Sequence, residues 1–84
     1  MEKAYTKQIK QFGKEIKHLR KVHSITQIDL AAKCAVDIRT IQRIEKGDYG
    51  IGLHILFALA AAFELNPHQL LTTISINKEV KQKQ

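Results

Sequence analysis

Six lysines in the first 21 residues, Lys3, Lys7, Lys10, Lys14, Lys17 and Lys21, recur at intervals of 4, 3, 4, 3 and 4. At about 100° per residue this spacing gathers the ammonium groups along one side of an α-helix. The plain reading of such a stripe is a solvated face. The functional reading is a surface for phosphates or an acidic partner. Farther along, Arg39 and Arg43 stand four apart, nearly opposite Ile41 and Ile44 on their segment. These residue types hold anions and do not make or break bonds. His18, His23, His54 and His68 do not cluster at metal-ligand spacing, and His18 and His23 are five apart, wrong for one helix face. Cys34 reads as a small core residue, not a ligand or nucleophile. The sequence has no glycine-rich phosphate loop and no paired acidic site, and its five Tyr and Phe residues make no stacking platform for single strands. With no nucleophile, base or metal set, neither an enzyme nor a cofactor is expected.

The elements that must position these cations follow from apolar periodicity. Ile9, Phe12, Ile16 and Leu19 fall at spacings of 3, 4 and 3, one stripe of a helix over about 6–22, with the lysines roughly opposite. Thr26 is an N-cap, with Asp29 at the capping-box position, for a short helix over 27–34. Asp37 caps a third helix over 38–46, whose inward stripe is Ile41 and Ile44 and which Gly47 ends. A loop with three glycines spans 47–52. Residues 53–63 form a strongly apolar helix, the expected core element. Asn66 and Pro67 start a short fifth helix ending near Leu71. The β-branched stretch 72–76 has the composition of a short strand.

Size and charge bound the rest. A chain of 84 residues is one domain with one small core. Its 44% apolar content argues against disorder. One Cys permits no internal disulfide, which fits a reducing compartment, and cytoplasmic location is expected. The longest apolar run, nine residues over 55–63, is too short to span a bilayer, so no membrane partner is expected. The net charge of +6 suggests a polyanionic partner. It is uneven: residues 1–23 carry +5, residues 24–50 are neutral and residues 77–84 carry +2.

Two short helices joined by about three residues, the second displaying bases, make a helix-turn-helix pattern. The stretch 16–71 resembles the lambda-repressor/Cro-like, XRE-type DNA-binding domain. The resemblance rests on Leu19-Arg20, Ile25-Thr26-Gln27, Leu30-Ala31, Val36 and the run Thr40-Ile41-Gln42-Arg43-Ile44-Glu45-Lys46-Gly47. It continues through Leu53, Ile55-Leu56, Ala58-Leu59-Ala60, Phe63, Leu65-Asn66-Pro67 and Leu70. No single piece is strong, but their joint order and spacing are specific.

The resemblance implies an all-α, compact five-helix domain over 1–71, with the helix-turn-helix at about 26–46. It implies that the third helix enters the major groove of double-stranded DNA. Arg39 and Arg43 are then base readers, because a guanidinium fork can bond guanine O6 and N7 together. Gln42 has the same bidentate potential toward adenine, and Ile38 could touch a thymine methyl. Gln27, Thr40 and Lys46 are the implied phosphate contacts. Arg20 and Glu45 match a family ion pair that ties the first helix to the third. The middle of the lysine stripe is expected to face away from the DNA.

Three departures stand against this pattern. Ala35 takes the place of the usual turn glycine, so the turn either follows another path or adopts a positive φ. The 47–52 loop lacks bases and contains Asp48. The stretch 24–50 that holds the second and third helices is neutral overall. The expected function is a sequence-specific transcriptional regulator, a repressor, acting as a homodimer on paired half-sites. The tail 72–84 and the fifth helix would supply the dimer contact, the last residues being frayed. Two alternatives are a DNA-binding antitoxin with a toxin partner, and a protein-interaction adaptor that kept the fold and lost DNA binding.

Overall fold

The computed structural model describes residues 4–74. Its elements are α1 (Thr6–Val22), α2 (Gln27–Cys34), α3 (Ile38–Lys46), α4 (Leu53–Ala62) and a 3₁₀ helix (Pro67–Leu71). The all-α class holds, but two details of the expected architecture do not. The fifth element is a single 3₁₀ turn, so there are four α-helices among the described residues. No strand occurs among them either: residues 72 and 73 are turn, and Ser75 and Ile76 lie outside them.

Local hydrogen bonds close the 3₁₀ form. Asn66 N donates to Gln69 Oε1 at 2.7 Å, and Gln69 N donates to Asn66 O at 2.9 Å, an i to i+3 closure. Five residues are too few to propagate α-helix without more packing. The next residues fold back instead of extending. Gln11 Nε2 donates to Thr73 O at 2.9 Å, which ties the chain to α1.

The core draws on every element. Ile16, Leu30, Ile41, Leu59 and Leu70, one from each, are all fully buried. Helix α4 contributes most, adding Ile55, Leu56 and Ala60, with Phe63 buried just past its end. Cys34 is buried among these side chains, and burial pushes its thiol pKa up, as befits a core residue. The caps are as the sequence reading has them. Thr26 Oγ1 accepts from Asp29 N at 3.1 Å while Thr26 N donates to Asp29 Oδ2 at 3.3 Å. Asp37 Oδ1 accepts from Arg39 N at 2.8 Å.

Two positions show what the backbone demands. Ala35 sits at φ 57°, ψ 44°, so the turn after α2 takes the left-handed path that glycine usually fills. Gly13 is buried within α1, and a methyl group there would run into the Ile44 carbonyl oxygen of α3. α1 therefore crosses α3 backbone to backbone.

Opposite stability effects are expected at these two sites. Ala35→Gly relieves a left-handed cost of about 1–2 kcal/mol and adds about 0.4–1 kcal/mol of unfolded-state entropy. The net gain, of order 0.5–1 kcal/mol, should raise the Tm by a few degrees. Gly13→Ala gains helix propensity but overpacks the crossing, at a cost of about 1–3 kcal/mol. Calorimetry of the two variants checks both signs; a Gly13→Ala protein as stable as the parent would remove the crossing constraint.

Candidate nucleic-acid interface

The crossing at Gly13 decides which side chains of α1 reach α3. Lys10, Gly13, Lys17 and Arg20 follow one another at 3, 4 and 3 residues, a single seam. All four meet the α3 side of the molecule. The Lys10 side chain lies against Gly47, the residue that ends α3 at φ 83°. Gly13 faces the Ile44 and Glu45 carbonyls. Lys17 lines a cleft shared with α3. Arg20 pairs with Glu45.

That pair is bidentate. Arg20 Nε donates to Glu45 Oε2 at 2.7 Å and Nη2 to Oε1 at 3.1 Å, with side-chain exposures of 12% and 4%. Arg20 Nη1 also donates to Ile25 O at 3.1 Å, holding the link between α1 and α2. Gln27 Nε2 donates to Glu45 Oε1 at 3.0 Å, and Gln42 Nε2 lies 3.5 Å from Gln27 Oε1. One network therefore joins α1, α2 and α3. The hydrogen bonding of Arg20 to the Glu45 carboxylate is the main cause that raises the Arg20 pKa, so the guanidinium stays charged throughout.

The network forms the floor of a cleft of about 550 Å³, lined by Lys17, Gln27, Arg39, Gln42, Arg43, Glu45 and Lys46. Five of the candidate contacts named from sequence meet here: Gln27, Arg39, Gln42, Arg43 and Lys46. Two do not line it. Ile38 is half-buried against the core, and Thr40 is half-buried with its amide bonded to Asp37 O at 2.9 Å.

The cations of the cleft are not equivalent. Arg39 Nε lies 3.3 Å from Asp37 Oδ1 and its Nη2 3.4 Å from Oδ2, an exposed pair on the helix cap. The Arg39 hydrogen bonds hold the Asp37 carboxyl below its ordinary pKa. Lys46 Nζ is 3.9 Å from Asp48 Oδ2, a looser exposed pair. Solvent screens exposed pairs of this kind, so either cation can be released to a phosphate. Arg43 has no acid partner among the described residues. Its Cζ lies over the Tyr49 ring, 5.1 Å from the centroid.

Lys17 and Tyr49 are the side chains that the sequence reading missed. The lysine stripe was expected to face away from DNA at its middle, yet Lys17 lines the cleft. A helical wheel orders residues about their own axis and does not say where the neighbouring helix crosses. Gly13 was the available signal, since a glycine inside an amphipathic helix marks a close approach. Tyr49 carried no periodic signal, because it lies in the loop.

A family model described as Helix-turn-helix matches residues 16–70. An uncharacterized HTH-type transcriptional regulator of Methanocaldococcus jannaschii is 43% identical over 49 residues, which cover 58% of this chain and 74% of that protein. The crystal structure of the restriction-modification controller protein C.AhdI from Aeromonas hydrophila superposes with a TM-score of 0.72 at 27% identity. That likeness covers 79% of this chain and 98% of the controller protein.

Breaking the ion pair from one side should be worse than replacing both partners. Glu45→Ala strands a guanidinium that is mostly covered, at an expected cost of about 2–4 kcal/mol. Arg20→Met with Glu45→Leu removes both charges and should recover at least half of that loss. Urea denaturation of the three proteins gives the comparison; equal midpoints for Glu45→Ala and the parent would show the pair contributes nothing.

Proposed function

The chain belongs to the helix-turn-helix family and is a DNA-binding transcription regulator; we propose that it is a repressor that reads duplex DNA through α3, as a homodimer on two paired half-sites. The observation that carries the reading is the cleft on α3. It gathers Lys17, Arg39, Gln42, Arg43 and Lys46 on one exposed surface, above a network that fixes the helix from behind. The major groove admits one α-helix, and its base edges are read by forked donors.

Within that frame the roles divide by geometry. Arg43, with its donors uncommitted, is the principal base reader. Gln42 is placed beside it and oriented through Gln27. Arg39 reads a base or a phosphate after leaving Asp37. Lys46 and Lys17 contact flanking phosphates, and Gln27 does so near the start of α2, where free N–H groups favour anions. Ile38 and Thr40 act from the start of α3, outside the cleft. Repression follows most simply from occupying a promoter.

Self-association is supported by an apolar surface on α4 and the 3₁₀ turn. Leu53, Phe57 and Leu71 are 67%, 53% and 42% exposed. Leu53 and Phe57 are one helical turn apart, so they share a face. Large exposed apolar residues grouped this way mark an interaction surface. In this reading the main contact moves from the tail 72–84 to α4. A family dimer of this kind would set its recognition helices about 34 Å apart, one turn of duplex.

Selection of bound sequences from random duplex, followed by affinity measurements, tests the proposal. Arg43→Ala is expected to cost about 1–3 kcal/mol on the preferred site and to relax preference at one base pair per half-site. Lys17→Gln and Lys46→Gln should each reduce the slope of log K against log salt by about one, with the selected sequence unchanged. If duplex binding were absent, or insensitive to salt, the adaptor alternative would replace this reading. For the dimer, Phe57→Glu should shift the sedimentation of the protein toward monomer; an unchanged distribution would place the interface elsewhere.

A further inference from the structure

The loop after α3 is poor in bases, yet it supplies an aromatic contact that holds Arg43. The Arg43 guanidinium carbon lies over the Tyr49 ring, 5.1 Å from its centroid. A cation over an aromatic face is attracted by the ring quadrupole, without using a hydrogen-bond acceptor. The N–H groups of Arg43 therefore stay available. Arg39 differs, since Asp37 engages both its Nε and its Nη2. Tyr49 is itself half-buried, packs on the core and lines an apolar cleft with Ile9 and Phe12 of α1. The ring is thus anchored in the fold while it carries an exposed side chain of α3.

We propose that Tyr49 is a positioning residue for Arg43: it holds the guanidinium at the cleft and sharpens the preference at the base pair Arg43 reads. The proposal rests on the base-reading role given to Arg43 above. An unheld arginine loses rotamer freedom on making the bidentate contact and, at an altered site, can swing to another acceptor, so it gains less from the right base and loses less at the wrong one. A ring that restricts the side chain beforehand lowers the loss and favours the geometry of bidentate bonding. Tyr49 touches no base in this scheme; its effect passes entirely through Arg43.

Four variants, the fourth a double one, test this on two duplexes, the selected site and the same site altered at the base pair to which Arg43→Ala becomes indifferent. The quantity read is the ratio of the two affinities. Tyr49→Leu, which keeps apolar bulk in the cleft beside α1, should reduce the ratio about two- to fivefold, the size of an exposed cation–π contact. Tyr49→Phe keeps the ring and should keep the ratio. In the Arg43→Ala background, Tyr49→Leu should change nothing further. A full ratio in Tyr49→Leu, with Arg43→Ala still losing it, overturns the proposal, as does Tyr49→Phe behaving like Tyr49→Leu. An Arg43→Ala protein with the parental selected motif would instead overturn the role of Arg43 itself. A measurement on the free protein guards against misfolding of the Leu variant. The Arg43 side-chain protons should show an upfield ring-current shift in the parent and in Tyr49→Phe, and its absence from both overturns the proposal.

Discussion

The close crossing of α1 over the end of α3 is the constraint on which the rest of the molecule depends. With no side chain at Gly13, the two backbones approach until the Ile44 and Glu45 carbonyls face the glycine directly. At that separation the residues before and after Gly13 on the same seam have fixed partners. Lys10 lies along Gly47, Lys17 reaches the cleft and Arg20 meets Glu45. A larger residue at position 13 would push α3 away and lengthen all of these contacts together. The bidentate Arg20–Glu45 geometry is sensitive to such a shift, because two parallel N–H to oxygen bonds require the two planes to stay in register.

The electrostatics of the cleft follow from which charges are used internally. Residues 24–50 carry equal numbers of acids and bases, so their net charge hides the basic character of the surface. Glu45, the acid nearest the cleft floor, is engaged by Arg20 and Gln27. Asp37 and Asp48 hold Arg39 and Lys46 only by exposed contacts, which solvent and salt weaken. Arg43 and Lys17 have no acid partner among the described residues. A polyanion entering the cleft therefore meets two free cations and two that are easily released. Local arrangement, and not the total charge, determines what the surface can attract.

The turn of the helix-turn-helix keeps its path although it lacks the expected glycine. Ala35 accepts the left-handed conformation because its neighbours fix the chain on both sides: Ala35 N bonds to Ala32 O at 3.2 Å and Val36 N to Ala31 O at 3.0 Å. These bonds satisfy carbonyls at the end of α2, and Asp37 caps α3 immediately afterwards. A modest backbone strain is thus retained where the relative angle of two helices has to be defined. The same segment is held from the far side by Leu30, Ala31 and Cys34 in the core.

The sequence by itself determined the helices, their caps and the inward stripes. Local hydrogen-bonding chemistry and the 3.6-residue period act within a few residues and need no knowledge of the neighbours. The resemblance to a family pattern also pointed to Arg20 with Glu45, and to the five candidate residues on α2 and α3 that line the cleft. Three features depended on tertiary structure. The last element became a 3₁₀ turn, because the five residues Pro67–Leu71 pack too little surface on the rest of the fold to extend an α-helix. Residues 72 and 73 turned back toward α1 instead of forming a strand, since Gln11 offered a hydrogen bond that no local pattern records. Lys17 lines the cleft because of where α1 crosses α3, and Tyr49 lies under the Arg43 guanidinium because of where the following loop returns. Such placements arise from contacts between residues distant along the chain, and the periodicity of one helix carries no information about the axis of another.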